Sequence, residues 1–342
     1  MPYPNTVTLH SPLDMHLHLR DGQMLHDTVK ASAKTFSGAI IMPNLVPPLT
    51  SEEALVSYKM RIQEAMGDET FIPYMTLFFK STYSRTFLES IRNKMTAIKL
   101  YPAGITTNSE GGVSGFDLED LRETLEAMSD LHIPLCVHGE TNGFVMDREA
   151  EFIPIYEKLA KAFPKLKIIM EHITTAESVA ALDRFDNLYA TITVHHLLIT
   201  LDDVAGGMLQ PHLFCKPIAK RPEDKEALLR AALTAHPKVM FGSDSAPHPK
   251  EDKESCGCAA GVFTAPIAIQ LLIELFEKHD APLENLQKFL SDHAKSIYGI
   301  TPPTKAILLE KKPFKVPSNY GSIVPMSAEE MLQYTITEVK HG

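Results

Sequence analysis

Two histidines one residue apart, His16 and His18, lie in the stretch Leu13-Asp14-Met15-His16-Leu17-His18-Leu19-Arg20, where apolar and polar residues alternate. Side chains two apart on a strand share a face. This spacing therefore sets both imidazoles on one side of a strand, with Arg20 following near its end. Two imidazoles presented together suit a zinc-like ion; the plainer alternative is the polar face of an exposed edge strand. Other reactive side chains occur in similar settings. Lys99 sits inside Ala97-Ile98-Lys99-Leu100-Tyr101, His138 in Val137-His138-Gly139-Glu140, His172 in Glu171-His172-Ile173, and Asp244 in Gly242-Ser243-Asp244-Ser245-Ala246-Pro247-His248. Each has an ordinary reading: a satisfied polar histidine, a helix-capping aspartate, a lysine that snorkels to solvent. Together those readings would need a separate reason at every position.

As a set the residues describe a two-metal site. His16, His18 and Asp244 can hold one ion, and His138 and His172 a second. Something anionic should bridge them. A lysine ammonium would be repelled by two dications, but a desolvated, neutral Lys99 amine can add carbon dioxide to give a carbamate, a bidentate anion. Two metals about 3.5–4 Å apart can share a water and bring its pKa toward neutrality. Asp244 is then placed to take and return the proton of the resulting hydroxide. Such a centre hydrolyses amides, esters or phosphoesters.

The elements that carry these residues alternate in type. Short β-rich apolar runs at 13–19, 39–42, 71–79, 97–101, 133–139, 167–173, 188–194 and 239–245 are separated by amphipathic segments at 27–36, 51–66, 84–94, 117–131, 148–163, 176–185 and 223–235. Two more helical segments, 263–279 and 283–298, follow the last run. Ser51 and Thr175 precede early acids as helix caps do, and Asp117 opens an acidic first turn. Eight strand–helix units imply a parallel sheet with right-handed crossovers closed into a (β/α)8 TIM barrel, whose active sites lie at the C-terminal ends of the strands. A doubly wound open sheet is the competitor, weakened by the lack of a Gly-rich turn after the first strand. About a dozen residues precede that strand, so a single barrel domain over 1–342 is expected, with an irregular Pro- and Lys-rich tail from about 301.

Composition narrows the class. With 342 residues, 44% hydrophobic and 22% charged, the chain can bury a sizeable core. A net charge of −10 argues against wholesale nucleic-acid or membrane-surface binding, while leaving room for a small anionic substrate. The N-terminus does not read as a signal peptide, no apolar run approaches a membrane span, and four cysteines suggest no disulfide framework. Cys136 and Cys215 should stay reduced, and the cytoplasm is the expected compartment. Cys256-x-Cys258 has no second cysteine pair to complete a zinc site and reads as a tight loop. His195 and His196 fall after the seventh run and read as structural.

The ordered set His16-x-His18, Lys99, His138, His172 and Asp244 resembles the binuclear amidohydrolase superfamily. The longer strings, including Met42-Pro43-Asn44-Leu45, Lys99-Leu100-Tyr101-Pro102-Ala103-Gly104 and Ser243-Asp244-Ser245-Ala246-Pro247-His248, are closer still to dihydroorotases of the compact single-domain type, over about residues 8–300. The resemblance implies reversible cyclisation of N-carbamoyl-L-aspartate to L-dihydroorotate in pyrimidine (UMP) biosynthesis. It implies two Zn2+ per subunit, a carboxylated Lys99 and a homodimer. It assigns Arg20, Asn44 and His248 to the substrate carboxylate, which suits a planar two-pronged donor beside a neutral one. It makes 104–113 a lid touching substrate through Thr106 and Thr107, and gives main-chain contacts to the pyrimidine ring at Lys216, next to Pro217, and at Ala259. Lys216 departs from the leucine of some relatives. Two further readings stay open: a dihydropyrimidinase- or hydantoinase-like hydrolase, which would not need the Arg20 cluster, and an inactive relative kept as a scaffold, in which ligands would be lost.

Overall fold

A computed structural model of the chain describes residues 3–342. Its strands are β1 (Thr6–His10), β2 (Leu13–Leu17), β3 (Gly38–Ile41), β4 (Ile72–Phe78), β5 (Ala97–Leu100), β6 (Leu135–Val137), β7 (Ile168–Met170), β8 (Leu188–Ile192), β9 (Val239–Phe241), β10 (Lys305–Glu310), β11 (Phe314–Lys315), β12 (Met331–Leu332) and β13 (Thr335–His341). β2 to β9 form one parallel sheet in sequence order. The sheet closes where Asp244 N–H donates to the His16 carbonyl (2.8 Å) and His18 N–H to that of Ser245 (3.2 Å). This is the TIM barrel expected from the eight alternating units. Helices Glu52–Met66, Leu118–Asp130 and Ala176–Ala181 begin at the anticipated caps: Ser51, Asp117 and Thr175 accept backbone N–H bonds at 3.2, 3.1 and 3.2 Å.

Strand alternation divides the core in two. Ile98, Leu100, Leu135, Val137, Ile168 and Met170 point outward and pack with the helices. Leu13, Met15, Ile40, Met42, Ala97, Cys136, Ile169 and Met240 point inward and fill the barrel's lower half. Ala294 and Ile297 close that floor, with Tyr298 packed against it. No helix among the described residues is long and apolar enough to cross a membrane.

The stretch from 301 is not the irregular tail its composition suggests. β10 pairs antiparallel with both β1 and β13 in a separate three-stranded sheet. Ile307 and Leu309 are buried there beside Val7 and Leu9. The Lys305 ammonium donates to the carbonyls of Ala33 (2.5 Å) and Phe36 (2.8 Å), fastening the sheet to the end of the first barrel helix. Prolines and lysines dominate the connections and mask the short alternation that makes the strand. Two short helices, Val194–Leu198 and Leu201–Ala205, also follow β8 where only a strand end was anticipated.

Candidate active site

The first strand does not alternate regularly to its end. Register slips between Asp14 and Leu17 where β2 pairs with β3. This bulge lets neighbouring Met15 and His16 both face inward, Met15 into the floor and His16 into the site. Past it, Leu17 and Leu19 turn to the outer core. Asp14 fixes the closure by accepting the Ser243 N–H (2.7 Å) and hydroxyl (2.6 Å). Gly242 is required opposite, because a Cβ there would lie 2.9 Å from those of His16 and Thr191. Three residues take left-handed backbone conformations at the rim: Arg20 (φ 60°), His172 (φ 40°) and Asp244 (φ 42°). Such strain in non-glycine residues persists where surrounding structure fixes it, commonly at functional sites.

His16, His18 and Asp244 converge as a buried three-donor cluster. Asp244 Oδ1 lies 3.4 Å from His16 Nε2 and 3.2 Å from His18 Nε2. His138 Nδ1 lies 3.1 Å from His172 Nε2. Donors about 2.0–2.1 Å from one tetrahedral ion are separated by about 3.3 Å, so both groupings have spacings that suit a shared ion. The two groupings are continuous, since the rings of His16 and His172 are 4.8 Å apart. The remaining imidazole nitrogens are held by carboxylates: His16 Nδ1 by Glu171 Oε2 (2.8 Å) and His138 Nε2 by Glu140 Oε2 (2.7 Å). This is how metal-ligating histidines are oriented. Burial depresses His16 to about 4 and both His18 and His172 well below their ordinary value, keeping these rings neutral.

Lys99 lies completely buried at the centre. Its Nζ has no hydrogen-bond partner among the described residues, and burial lowers its pKa, favouring the free amine. Glu171 Oε1 and His172 Nδ1 are also buried without partners among the described residues. Orphaned polar atoms of this kind normally have a ligand or water to satisfy them. Imidazoles and a carboxylate at metal-ligand spacings, with a buried amine that has no partner among the described residues, fit a metal pair bridged at Lys99.

Beside this cluster opens a narrow cleft, lined by His16, His18, Arg20, Asn44, Thr106, Thr107, Lys216, Asp244 and neighbouring residues. Arg20 donates through Nε to the Pro247 carbonyl (2.9 Å), and an Nη lies 3.0 Å from His248 Nε2. Burial and the nearby guanidinium push His248 down to about 3, so it is neutral at physiological pH. Asn44 donates to the Thr107 carbonyl (2.9 Å), and Asn108 donates to that of Asn44 (3.1 Å), tying loop 104–113 across the cleft. Gly112 is necessary in that loop, since a Cβ would come 2.3 Å from the Tyr101 carbonyl oxygen.

Ala259 is not brought to the wall as expected. Its N–H donates to the Asp252 carbonyl (3.1 Å), its own carbonyl accepts from Lys253 Nζ (2.8 Å), and Ala260 and Gly261 line the cleft instead. Lys253, buried beneath this wall, also donates to Phe214 (2.9 Å) and Gly261 (2.7 Å), joining the 214–217 and 259–261 segments. Sequence reasoning assigned no role to Glu171, Glu140, Asp14 or Lys253. A carboxylate next to, or two residues from, an inward histidine was the available signal for the first three. Nothing local marked Lys253.

The amidohydrolase family model matches residues 89–300. A dihydroorotase of Helicobacter pylori (strain J99) is 46% identical over 339 residues, covering 97% of this chain and 99% of the relative. The crystal structure of dihydroorotase from Campylobacter jejuni superposes with a TM-score of 0.94 at 58% identity, covering 98% of each chain. Dihydroorotase from Saccharomyces cerevisiae, solved with 5-fluoroorotic acid, gives 0.91 at 34% identity over 99% of each.

Proposed function

The chain belongs to the dihydroorotase family of amidohydrolases, and we propose that it interconverts N-carbamoyl-L-aspartate and L-dihydroorotate as a step of pyrimidine biosynthesis. One observation carries this reading: Arg20, with His248 against it, and Asn44 share a cleft with the His16–His18–Asp244 cluster. A donor group for a carboxylate thus adjoins a hydrolytic centre. The yeast relative's ligand, 5-fluoroorotic acid, is likewise a pyrimidine bearing a ring carboxylate.

His16, His18 and Asp244 would hold one metal and His138 and His172 the other, with a carbamate on Lys99 between them. Ligand type favours zinc. When bound, the pair supplies an activated water at neutral pH and draws charge from the scissile carbonyl. Arg20 has five N–H donors, of which the Pro247 carbonyl and His248 engage two; the others can grip the substrate carboxylate. Asn44 adds a neutral contact and Lys216 forms part of the wall. Thr106 and Thr107 cover the ring, and closure of 104–113 excludes water. Asp244 accepts only the two imidazole contacts among the described residues, and burial raises its pKa, which suits a group that takes up and returns a proton. In hydrolysis it receives the proton of the attacking water and delivers it to the amide nitrogen as the ring opens. In cyclisation it takes a proton from the carbamoyl nitrogen as that atom attacks the side-chain carboxyl carbon, and gives it to the departing carboxyl oxygen, which takes a second proton from solvent and leaves as water. A cytoplasmic homodimer is the expected setting.

The test is a substrate pair. Purified enzyme should open dihydroorotate and leave dihydrouracil, which lacks the carboxylate, at least about 100-fold slower, the loss of a charge-assisted contact. Comparable rates on both would favour the hydantoinase-like reading, and no turnover of either with metals bound would favour the scaffold.

A further inference from the structure

Outside the catalytic cleft lies a second cluster of metal-type donors, formed by His195 and His196 of the helix Val194–Leu198 and by Cys215. All three are buried, and their ligand atoms lie within 4.8 Å of one another. Among the described residues neither ring nitrogen of His195 has a hydrogen-bond partner, although the residue is 0% exposed. A buried imidazole left so is costly and calls for a ligand or an ordered water. Its neighbours are better arranged. His196 Nε2 lies 3.5 Å from Cys215 Sγ, a separation two ligands of one ion adopt. The Pro217 carbonyl lies 3.1 Å from the same nitrogen and 3.2 Å from the same sulfur. On its other side, His196 Nδ1 meets the Thr193 hydroxyl at 2.9 Å, the orienting contact expected behind a ligating histidine. The His195 ring, tilted 50° to that of His196 with the centroids 4.3 Å apart and held by no hydrogen bond among the described residues, can turn inward to complete three-coordination.

We propose that His195, His196 and Cys215 form a buried site for a soft monovalent cation, Cu(I), separate from the catalytic metals. The thiolate is a soft donor that suits Cu(I), and imidazole is a good copper ligand. One thiolate and two neutral imidazoles give net charge zero with a monovalent ion, the balance that a dry site favours; a divalent ion would leave an uncompensated charge. The Pro217 carbonyl is a weak fourth contact. Binding displaces the thiol proton to solvent, and the His196 proton moves from Nε2 to Nδ1, where the Thr193 oxygen accepts it. One proton is therefore released per ion. The ion would join Cys215, the neighbour of cleft residue Lys216, to the helix after β8.

The experiment uses the metal-loaded full chain carrying Cys256→Ser and Cys258→Ser, which removes the accessible thiols. Under anaerobic conditions it is titrated with Cu(I) against bathocuproine disulfonate, reading the chelator's absorbance. One Cu(I) per chain should be retained, with one proton released. Adding Cys215→Ala should abolish retention. Adding His195→Phe, which replaces an unpartnered polar ring by an apolar one and should preserve the near-UV circular dichroism, should weaken it about tenfold or more. Failure of the chain carrying only the Cys256→Ser and Cys258→Ser changes to retain Cu(I), or equal retention by the folded His195→Phe variant, would overturn the proposal.

Discussion

The floor and the rim of the barrel interior stand on the same strands and change character within two residues. On β5, inward Ala97 is followed by Lys99; on β6, Cys136 by His138; on β7, Ile169 by Glu171; on β9, Met240 by Gly242 and then Asp244. Below, the side chains fill space and leave Cys136 Sγ near Tyr298 Oη (3.3 Å) as a marginal polar contact. Above, Lys99 Nζ, Glu171 Oε1 and His172 Nδ1 are buried without partners among the described residues, and the backbone is left-handed at His172 and Asp244. The floor thus supplies stability that the rim gives up to hold reactive groups dry and convergent.

Substitutions should separate the two layers. The largest effect is expected for Asp244→Asn, which keeps size and polarity but removes the proton acceptor. Dihydroorotate turnover should fall by about 1,000-fold or more with unchanged circular dichroism; a fall under about tenfold would remove Asp244 from proton transfer. Lys99→Ala should cut metal content from two ions per chain to one, read by elemental analysis. Full occupancy in that variant would dismiss a bridging carbamate. Arg20→Met should raise KM about 10- to 100-fold with a smaller change in kcat, and an unaltered KM would remove it from carboxylate binding. On the floor, Ile169→Ala should cost about 2–5 kcal/mol in urea unfolding yet leave KM nearly unchanged.

The smallest effect is a pH dependence of the metal-stripped protein. His16 and His196 are depressed to about 4 and His248 to about 3 by burial. Between about 4 and 6.5 the unfolded chain therefore binds more protons than the native one, and stability should fall as pH drops through that window. Asp14, raised by burial to about 7, and Asp244, also raised by burial, work the other way, gaining stability as pH falls below their folded-state values toward 4. The histidines outnumber them, so the urea midpoint should decline on acidification. A midpoint rising from pH 6.5 to 4.5 would contradict this balance.

The same contrast explains what could be read from the sequence. A lysine, histidine or aspartate inside an apolar β-run is locally conspicuous, so the eight strands and the six metal-type residues were legible before folding. What depends on backbone irregularity or distant partners was not. Alternation alone puts Met15 and His16 on opposite faces; the bulge in β2 turns both inward. It also separates Glu171 from His172, yet the left-handed turn at His172 lets both serve the site. The shift from Ala259 to Ala260 and Gly261 follows from Lys253 and Asp252 already engaging Ala259, contacts no local pattern reveals. The sheet of β1, β10 and β13 joins the two ends of the chain, and its pairing has no signature in either.

The central claim is that the rim is a binuclear metal centre serving a carboxylated cyclic amide. It is tested most directly by measuring metal content and dihydroorotate hydrolysis on one purified sample, before and after chelation and after metal return. Two ions per chain should be found, with turnover lost on removal and regained on reconstitution. Full turnover by metal-free enzyme, or none with two ions bound, would contradict it.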